Sequence, residues 1–503
     1  MVRLVSATIV SKFLLLIASS SLVAVVTLSS AQAHPQQRTD LPTIGTAAGG
    51  TMSIERERLI GDYFMRQLRA QAPMVEDPVL REYLTDLGNR LVLHSPNVRF
   101  PFTFFWIRDP NINAFAFLGG YVGVHTGLIE HAQDESELAS VLAHEVAHVT
   151  QRHIARNMER MQASTPVSIA QIIGGLVLAM ANPQLGMAVM TGSMAGIQQR
   201  QINYTRQFEL EADRFGMNAL AAAGFDPHGA PRFFSRLAAQ YRYSTQVPQY
   251  LVTHPLPESR IADTRSRADN LGGRSLPPSL DFELAKARVA IRYSNTPARD
   301  NLLNMQAEER RLTGSRSHQH RIDGARYAQA LALFALERYQ EADEIIQSLY
   351  DSDPMNLFYI DTITDIWLAQ ERYQEAVDFL TRAYMRRPNN QVVTLNLAYA
   401  ANHARDFDLA VKILNDYIIR NREDRVAYEL LHEAHQKSGN AVSMHEAMAE
   451  LHILRGLFEM AIEELHHAFS KTPESRELAR QRIQGRIEQV RRLSNERERV
   501  LNL

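Results

Sequence analysis

The sequence contains no cysteine. No disulfide can staple the fold and no thiolate can ligate a metal, so any zinc site falls to histidine and carboxylate. An excess of one charge is also missing: 54 Lys and Arg against 56 Asp and Glu leave a formal net charge of -2, with the signs interspersed. That balance excludes the basic surface that nucleic-acid binding needs. Long apolar runs are scarce. One, Phe13 to Leu28, follows Arg3 and Lys12 and precedes Ala31-Gln32-Ala33, the layout of an export signal with a small-x-small cleavage site. The run is close to the lower limit for a membrane span, which makes an uncleaved anchor the competing reading. Ser19, Ser20 and Ser21 within it, and the Ala-x-Ala after it, favour cleavage after Ala33. A second run, Val167 to Ala181, contains Gly174-Gly175, is followed by Asn182-Pro183 and is too short to span comfortably. It reads as an apolar helical hairpin over a cleft, with peripheral membrane contact as the minor alternative.

What is present centres on Val141-Leu-Ala-His144-Glu145-Val-Ala-His148-Val149. His144 and His148 are four residues apart, so on a helix both imidazoles leave one face and can share an ion. Glu145 can reach a water held by that ion. Apolar neighbours bury the helix, and burial keeps the ion's field from being diluted by solvent. Such a pair with an adjacent Glu suits a zinc hydrolase better than a structural zinc site, which usually uses Cys. A five-residue pattern recurs by chance, and what adds specificity is a second one. Phe208-Glu209-Leu-Glu211-Ala-Asp213 offers Glu209 as a third protein ligand on another helix. Asp213, one turn on, points into the same site. Three protein ligands and a water are the arrangement of catalytic zinc, here one Zn2+ per chain.

HExxH followed by ExxxD resembles the gluzincin metallopeptidases, and the fit is closest to the periplasmic β-barrel assembly-enhancing proteases. The resemblance also covers Asn113-Ala-Phe-Ala-Phe117, Gly119-Gly120, the stretch from His144 to His153, Thr253-His254-Pro255 and a C-terminal helical array. It implies a zinc endopeptidase with His144, His148 and Glu209 as ligands and Glu145 as the proton-transferring base. Asp213 would orient a ligand histidine through its second ring nitrogen. It further implies a sheet edge beside the zinc, formed by Phe117, Gly119, Gly120 and Tyr121, along which an extended substrate pairs its backbone. His254 would run close to the metal, either as a reversible fourth ligand holding the enzyme latent or as a free imidazole stabilising the oxyanion. His153, five residues beyond His148, is rotated off the shared face of a continuous helix from Glu135 to about Met161 and reads as a surface or packing residue.

Elsewhere, Ser53 to Ala70 and Glu76 to Leu93 have helical spacing, and Phe102 to Ile107 suits a strand. Asn111 to Phe117 and Tyr121 to Val124 read as two strands around a turn, and Gln246 to Arg260 as a loop. Tyr339-Gln-Glu-Ala342 recurs as Tyr373-Gln-Glu-Ala376 and Phe407-Asp-Leu-Ala410, a 34-residue period that matches tetratricopeptide repeats. Phe458-Glu-Met-Ala461 follows Phe407 after 51 residues, so the last units are expected to be irregular or to hold an inserted helix. Glu474 to Arg499 is expected to be a solvating terminal helix.

These readings give a mainly α chain: 1–33 a signal peptide, 34–50 a flexible lead-in, 51–315 a zinc metallopeptidase domain with a small sheet, and 316–503 a repeat solenoid. The implied function is periplasmic quality control, degrading misfolded or stalled outer-membrane proteins. The repeats would engage the outer-membrane β-barrel assembly machinery. The rival class is a chaperone or scaffold that works mainly through its repeats, with the zinc site latent.

Overall fold

Ser53 and Asp77 each offer a side-chain oxygen to the free N–H groups of the turn that follows, Ser53 to Arg56 and Asp77 to Val79 and Leu80. Capping of this kind starts helices, and α1 (Ile54–Gln71) and α2 (Pro78–Leu93) begin there. The computed structural model describes residues 52–164, 195–241, 249–314 and 318–501. The expected signal, lead-in and apolar hairpin lie outside the described residues.

Three short strands follow: β1 (Thr103–Ile107), β2 (Ala114–Phe117) and β3 (Tyr121–His125), in the order β1-β3-β2. β1 runs parallel to the central β3, and β2 antiparallel to it. Side chains alternate between two cores, as the pleat requires. Phe104, Trp106, Ala114, Ala116, Val122 and Val124 join the main core, while Phe105, Ile107, Phe115, Phe117 and Tyr121 pack in a second one that contains residues of α1. Each large apolar side chain buried this way contributes about 1.5–3 kcal/mol. Trp106 keeps its indole N–H satisfied by donating to the Leu80 carbonyl at 2.9 Å. The β2–β3 turn passes through Gly119 and Gly120, with φ of 87° and 92°, backbone that side-chain-bearing residues rarely adopt.

After α3 (Thr126–His131), Asp134 caps α4 (Glu135–Thr150), accepting from the Glu137 N–H at 2.9 Å. α4 is buried on nearly every face, as expected of a helix that forms the middle of a core. It ends at Thr150 and not near Met161, where its sequence pattern suggests: Arg152 has φ of 55° and a new helix, α5 (His153–Ser164), begins beside it. The left-handed Arg152 is held by ion pairing to Glu57 and by donating to the Met52 carbonyl at 2.7 Å. α6 (Ala195–Ala222) packs along α4, followed by α7 (Gly229–Tyr241), α8 (Gln249–Thr253), α9 (Glu258–Leu271), α10 (Leu280–Arg292) and α11 (Ala298–Leu312). The expected loop from 246 to 260 is thus partly helical, and Arg260 lies on α9.

The repeats comprise α12 (Gln319–Ala335), α13 (Tyr339–Ser352), α14 (Leu357–Ala369), α15 (Tyr373–Arg386), α16 (Gln391–His403), α17 (Phe407–Ile418), α18 (Arg425–Lys437), α19 (Ala441–Leu454), α20 (Phe458–Lys471) and α21 (Glu477–Leu501). Ala342, Ala376 and Ala410, the small residues of the repeated motif, are completely buried. There a larger side chain would separate helices that pack at close distance. The irregularity expected near Phe458 does not occur. Helices starting at Leu357, Gln391, Arg425 and Phe458 follow at 34, 34 and 33 residues, so Phe458 opens the first helix of a pair rather than the second. No helix is inserted; Ala441 simply stands where the earlier units carry an aromatic. Nor is α21 merely solvated, since Ile483, Ile487 and Val490 are fully buried in a core shared with α20.

The repeats fold back on the first helices. Buried Arg288 of α10 reaches Asp77 through Nε and Asp361 of α14 through Nη2, both at 2.6 Å, and donates to the Tyr327 hydroxyl at 3.0 Å. Arg81 pairs with Asp424, Arg425 with Glu76 at 3.1 Å, and Asn390 donates to Glu82 at 2.6 Å. Among the described residues no helix is long and apolar enough to cross a membrane.

Candidate metal centre

α4 presents His144, Glu145 and His148 toward α6, and the two helices touch closely at one glycine. A Cβ on Gly216 would lie 3.0 Å from the Ala143 carbonyl and from the His144 nitrogen. This close approach carries Glu209 and Asp213, on the preceding turns of α6, to the histidines. His144 Nε2 is 3.2 Å from Glu209 Oε2, His148 Nε2 is 3.4 Å from Glu209 Oε1, and the two Nε2 atoms are 3.0 Å apart. His254, just after α8, brings Nδ1 to 3.1 Å from Glu209 Oε2 and 3.3 Å from His144 Nε2. One donor atom from each of His144, His148, Glu209 and His254 therefore lies within 4.8 Å of the others. Glu145 is almost completely buried, and its Oε1 is 3.4 Å from His254 Nε2 without a hydrogen bond of its own.

Facing nitrogen lone pairs and a carboxylate in a dry pocket repel one another or compete for protons unless a cation lies between them. Without a cation, the carboxylates draw a proton to His144 instead. Burial opposes a charge on His144, yet Asp213 and Glu209 together raise it to about 10. Burial would raise Glu209, but the imidazoles of His254 and His144 hold it well below the usual carboxylate range. Burial dominates at His148 and lowers its pKa, which favours the neutral form that can ligate. The donor set is two to three imidazoles and one carboxylate, with no thiolate, and it fits a divalent metal of the zinc type.

Sequence reasoning expected His144, Glu145, His148, Glu209 and Asp213 at one site, and the structure places them side by side. Asp213 sits behind His144, with Oδ1 2.9 Å from Nδ1, close enough to orient that ring. Three supporting residues escaped it. Arg260 is buried and grips Asp213 through Nε and Nη2 at 2.6 and 2.8 Å and Glu209 through Nη1 at 2.8 Å. Against burial, Arg260 is the main influence holding the Asp213 carboxyl down. Tyr250 is fully buried and stacks on His254 with ring centres 4.9 Å apart. His153, expected at the surface or in packing, is buried with its Nδ1 2.9 Å from His148 Nδ1.

The expected edge is partly corrected by the sheet order. β2 is an edge strand and Phe117 lies on it, but Gly119 and Gly120 form the turn and Tyr121 lies on the central β3. Tyr121 points to α1 instead, where its hydroxyl donates to Asp62 at 2.8 Å. Phe117, Leu118 and Gly119 nevertheless share a small cavity with His148 and Arg152, so the end of β2 does adjoin the centre.

Comparison with known proteins agrees with this geometry. The model of Peptidase family M48 matches residues 78–268, and a tetratricopeptide repeat model matches residues 368–428. A Vibrio cholerae relative is 43% identical over 464 residues, 92% of this chain and 94% of its own. The β-barrel assembly-enhancing protease of Escherichia coli K12 is 41% identical over 475 residues, 94% of this chain and 96% of its own. The mitochondrial metalloendopeptidase OMA1 of Arabidopsis thaliana is 30% identical over 154 residues, 31% of this chain and 29% of its own.

Proposed function

The chain belongs to the β-barrel assembly-enhancing protease family and is a metalloendopeptidase, and on that footing we propose that it cleaves misfolded or stalled outer-membrane proteins in the periplasm with zinc. The observation that carries the reading is the convergence of His144, His148, Glu209 and His254 on one point with Glu145 beside it.

In this reading His144, His148 and Glu209 hold one Zn2+ per chain. When bound, the ion supplies Lewis acidity, lowering the pKa of a water and polarising the scissile carbonyl. Glu145 accepts the water's proton and delivers it to the leaving amine. Asp213 keeps His144 in the tautomer whose Nε2 faces the metal, and Arg260 holds Asp213 and Glu209 in place. The 3.1–3.3 Å approaches of His254 Nδ1 support its assignment as a fourth ligand that holds the enzyme latent. The outer edge of β2 supplies backbone groups for an extended substrate, and pairing of that kind tolerates many sequences. Residues 1–33 act as the cleaved signal and 34–50 as lead-in. Residues 51–315 carry catalysis, and 316–503 bind the outer-membrane assembly machinery.

The test is cleavage of an unfolded outer-membrane protein by the purified full chain. Glu145→Gln is expected to lower turnover by about 10²–10⁴-fold, the usual contribution of a positioned general base, and His254→Ala to raise it. Equal turnover by the parent and Glu145→Gln contradicts the proteolytic assignment, and no rise in His254→Ala contradicts latency. A second reading, a scaffold acting through its repeats, draws on a groove of about 1130 Å3 along the last units, lined by Ile419, Tyr428, His435 and Arg486 among others. Full rescue of outer-membrane assembly by Glu145→Gln would favour the scaffold.

A further inference from the structure

His148 has two ring nitrogens, and the reading above uses only one of them. Nε2 faces His144 and Glu209. Nδ1 points the other way and meets His153 Nδ1 at 2.9 Å. His153 is 2% exposed, and its Nε2 lies 3.2 Å from Glu211 Oε2. Arg156 donates to that same oxygen at 3.0 Å. The ring of His153 is stacked on Phe208 with centres 4.3 Å apart and planes 22° apart, and Arg156 covers the Phe208 ring at 4.8 Å. Every link of this chain is buried or half-buried, and it runs on from the site without touching the reacting groups.

We propose that His153 is a positioning residue for His148, fixing through Glu211 the tautomer and ring angle with which His148 ligates the metal. The proposal rests on the assignment of His148 as a ligand. Proton bookkeeping leaves one consistent arrangement. A neutral imidazole has a single N–H. If Nε2 of His148 offers its lone pair to the metal, its proton is on Nδ1, which must donate. His153 Nδ1 then accepts, its own proton is on Nε2, and that N–H donates to the Glu211 carboxylate. Each donor meets an acceptor. The reversed chain would aim an N–H of His148 at the metal and leave a lone pair of His153 against a carboxylate oxygen.

The backbone is shaped for this contact. On an unbroken helix a residue five positions along is turned about 140° away, at about 100° per residue. The break at Gln151–Arg152, with Arg152 at φ 55° and anchored to Glu57 and Met52, is what swings His153 back against the helix that carries its partner. Holding a residue other than glycine in the left-handed region costs free energy, and such outliers persist where the surroundings over-determine them.

The test is the zinc dissociation constant of the full chain, measured by chelator competition, beside the thermal midpoint of the metal-free protein. His153→Phe keeps the stacking and loses both nitrogens; it is expected to weaken zinc binding 10- to 100-fold, the usual cost of losing such a partner, with the metal-free midpoint unchanged. His153→Gln, whose amide oxygen can still accept from His148, is expected to recover most of the loss. Zinc affinity within twofold of the parent in His153→Phe overturns the proposal. So does an equal loss in the Phe and Gln variants accompanied by a lowered metal-free midpoint, because that describes a purely structural role. Should His153→Phe not fold, Glu211→Ala takes its place, with about tenfold weakening expected and none overturning the idea. His148→Ala separates the levels: if it binds zinc as the parent does, the ligand assignment itself falls, whereas loss in His148→Ala with retention in His153→Phe overturns the positioning role alone.

Discussion

At the scale of single residues, the centre contains more charge than its ligands account for. Glu145, Glu209 and Asp213 are buried together, and Arg260 is the cation in hydrogen-bonding contact with two of them. Removing one partner of such a set leaves uncompensated buried charge, which costs about 3–5 kcal/mol. Arg260→Leu is therefore expected to lower the urea stability of the metal-free protein by that amount. A loss below about 1 kcal/mol, the value of a surface pair, would show that Arg260 is not the electrostatic keystone of the cluster. Four residues of the proposed metal site could be read from the sequence because they fall in pairs within one helical turn, His144 with His148 and Glu209 with Asp213. Arg260 could not, since it lies 51 residues beyond Glu209 on a separate helix and no local spacing connects them. His153 does pack, as one of its two readings had it, but the rotation expected for it failed for a different reason. Its orientation is set by one left-handed residue, and Arg152, unlike a glycine or asparagine, gives no hint of that conformation.

Among elements, the decisive contact is α4 against α6 at Gly216. A side chain there would meet backbone of the HExxH helix at 3.0 Å, and backbone cannot rotate out of the way. Gly216→Val is expected to push the helices apart, costing about 1–3 kcal/mol as overpacking does, and to reduce zinc retention because the proposed ligands sit on both helices. Thermal unfolding together with dialysed metal content checks this; unchanged values in both would mean that the crossing is set elsewhere. The repeat helices were legible because 34-residue self-similarity survives in the aromatic, the buried Ala and the turn. Left-handed residues recur at that same period, at Glu337, Glu371 and Arg405, with φ of 60°, 60° and 63°, and then at Gly439. The pattern misled only at Phe458, where an aromatic of the right kind opens the other helix of the pair.

Over the whole molecule, the repeats are fastened to the metallopeptidase part by charge. Arg288 lies buried between Asp77, which also caps α2, and Asp361 of the repeats. Against burial, Arg288 foremost holds Asp77 below its ordinary value, whereas at Asp361 burial prevails and raises it. Arg288→Leu is expected to cost about 3–5 kcal/mol and to give separate unfolding transitions for the two parts; a single unshifted transition in calorimetry would contradict that. Nothing in the linear sequence marks this joint, because its three members are more than seventy residues apart in each interval and none belongs to a motif.

The measurement that bears most directly on the whole account is zinc content, by elemental mass spectrometry, of the full chain stripped with chelator, reloaded with zinc and dialysed. About one ion per chain is predicted for the parent and for Glu145→Gln, and close to none for His148→Ala and Glu209→Ala, as expected when two imidazoles and a carboxylate form the site. A parent that stays empty, or a His148→Ala variant as full as the parent, would contradict it.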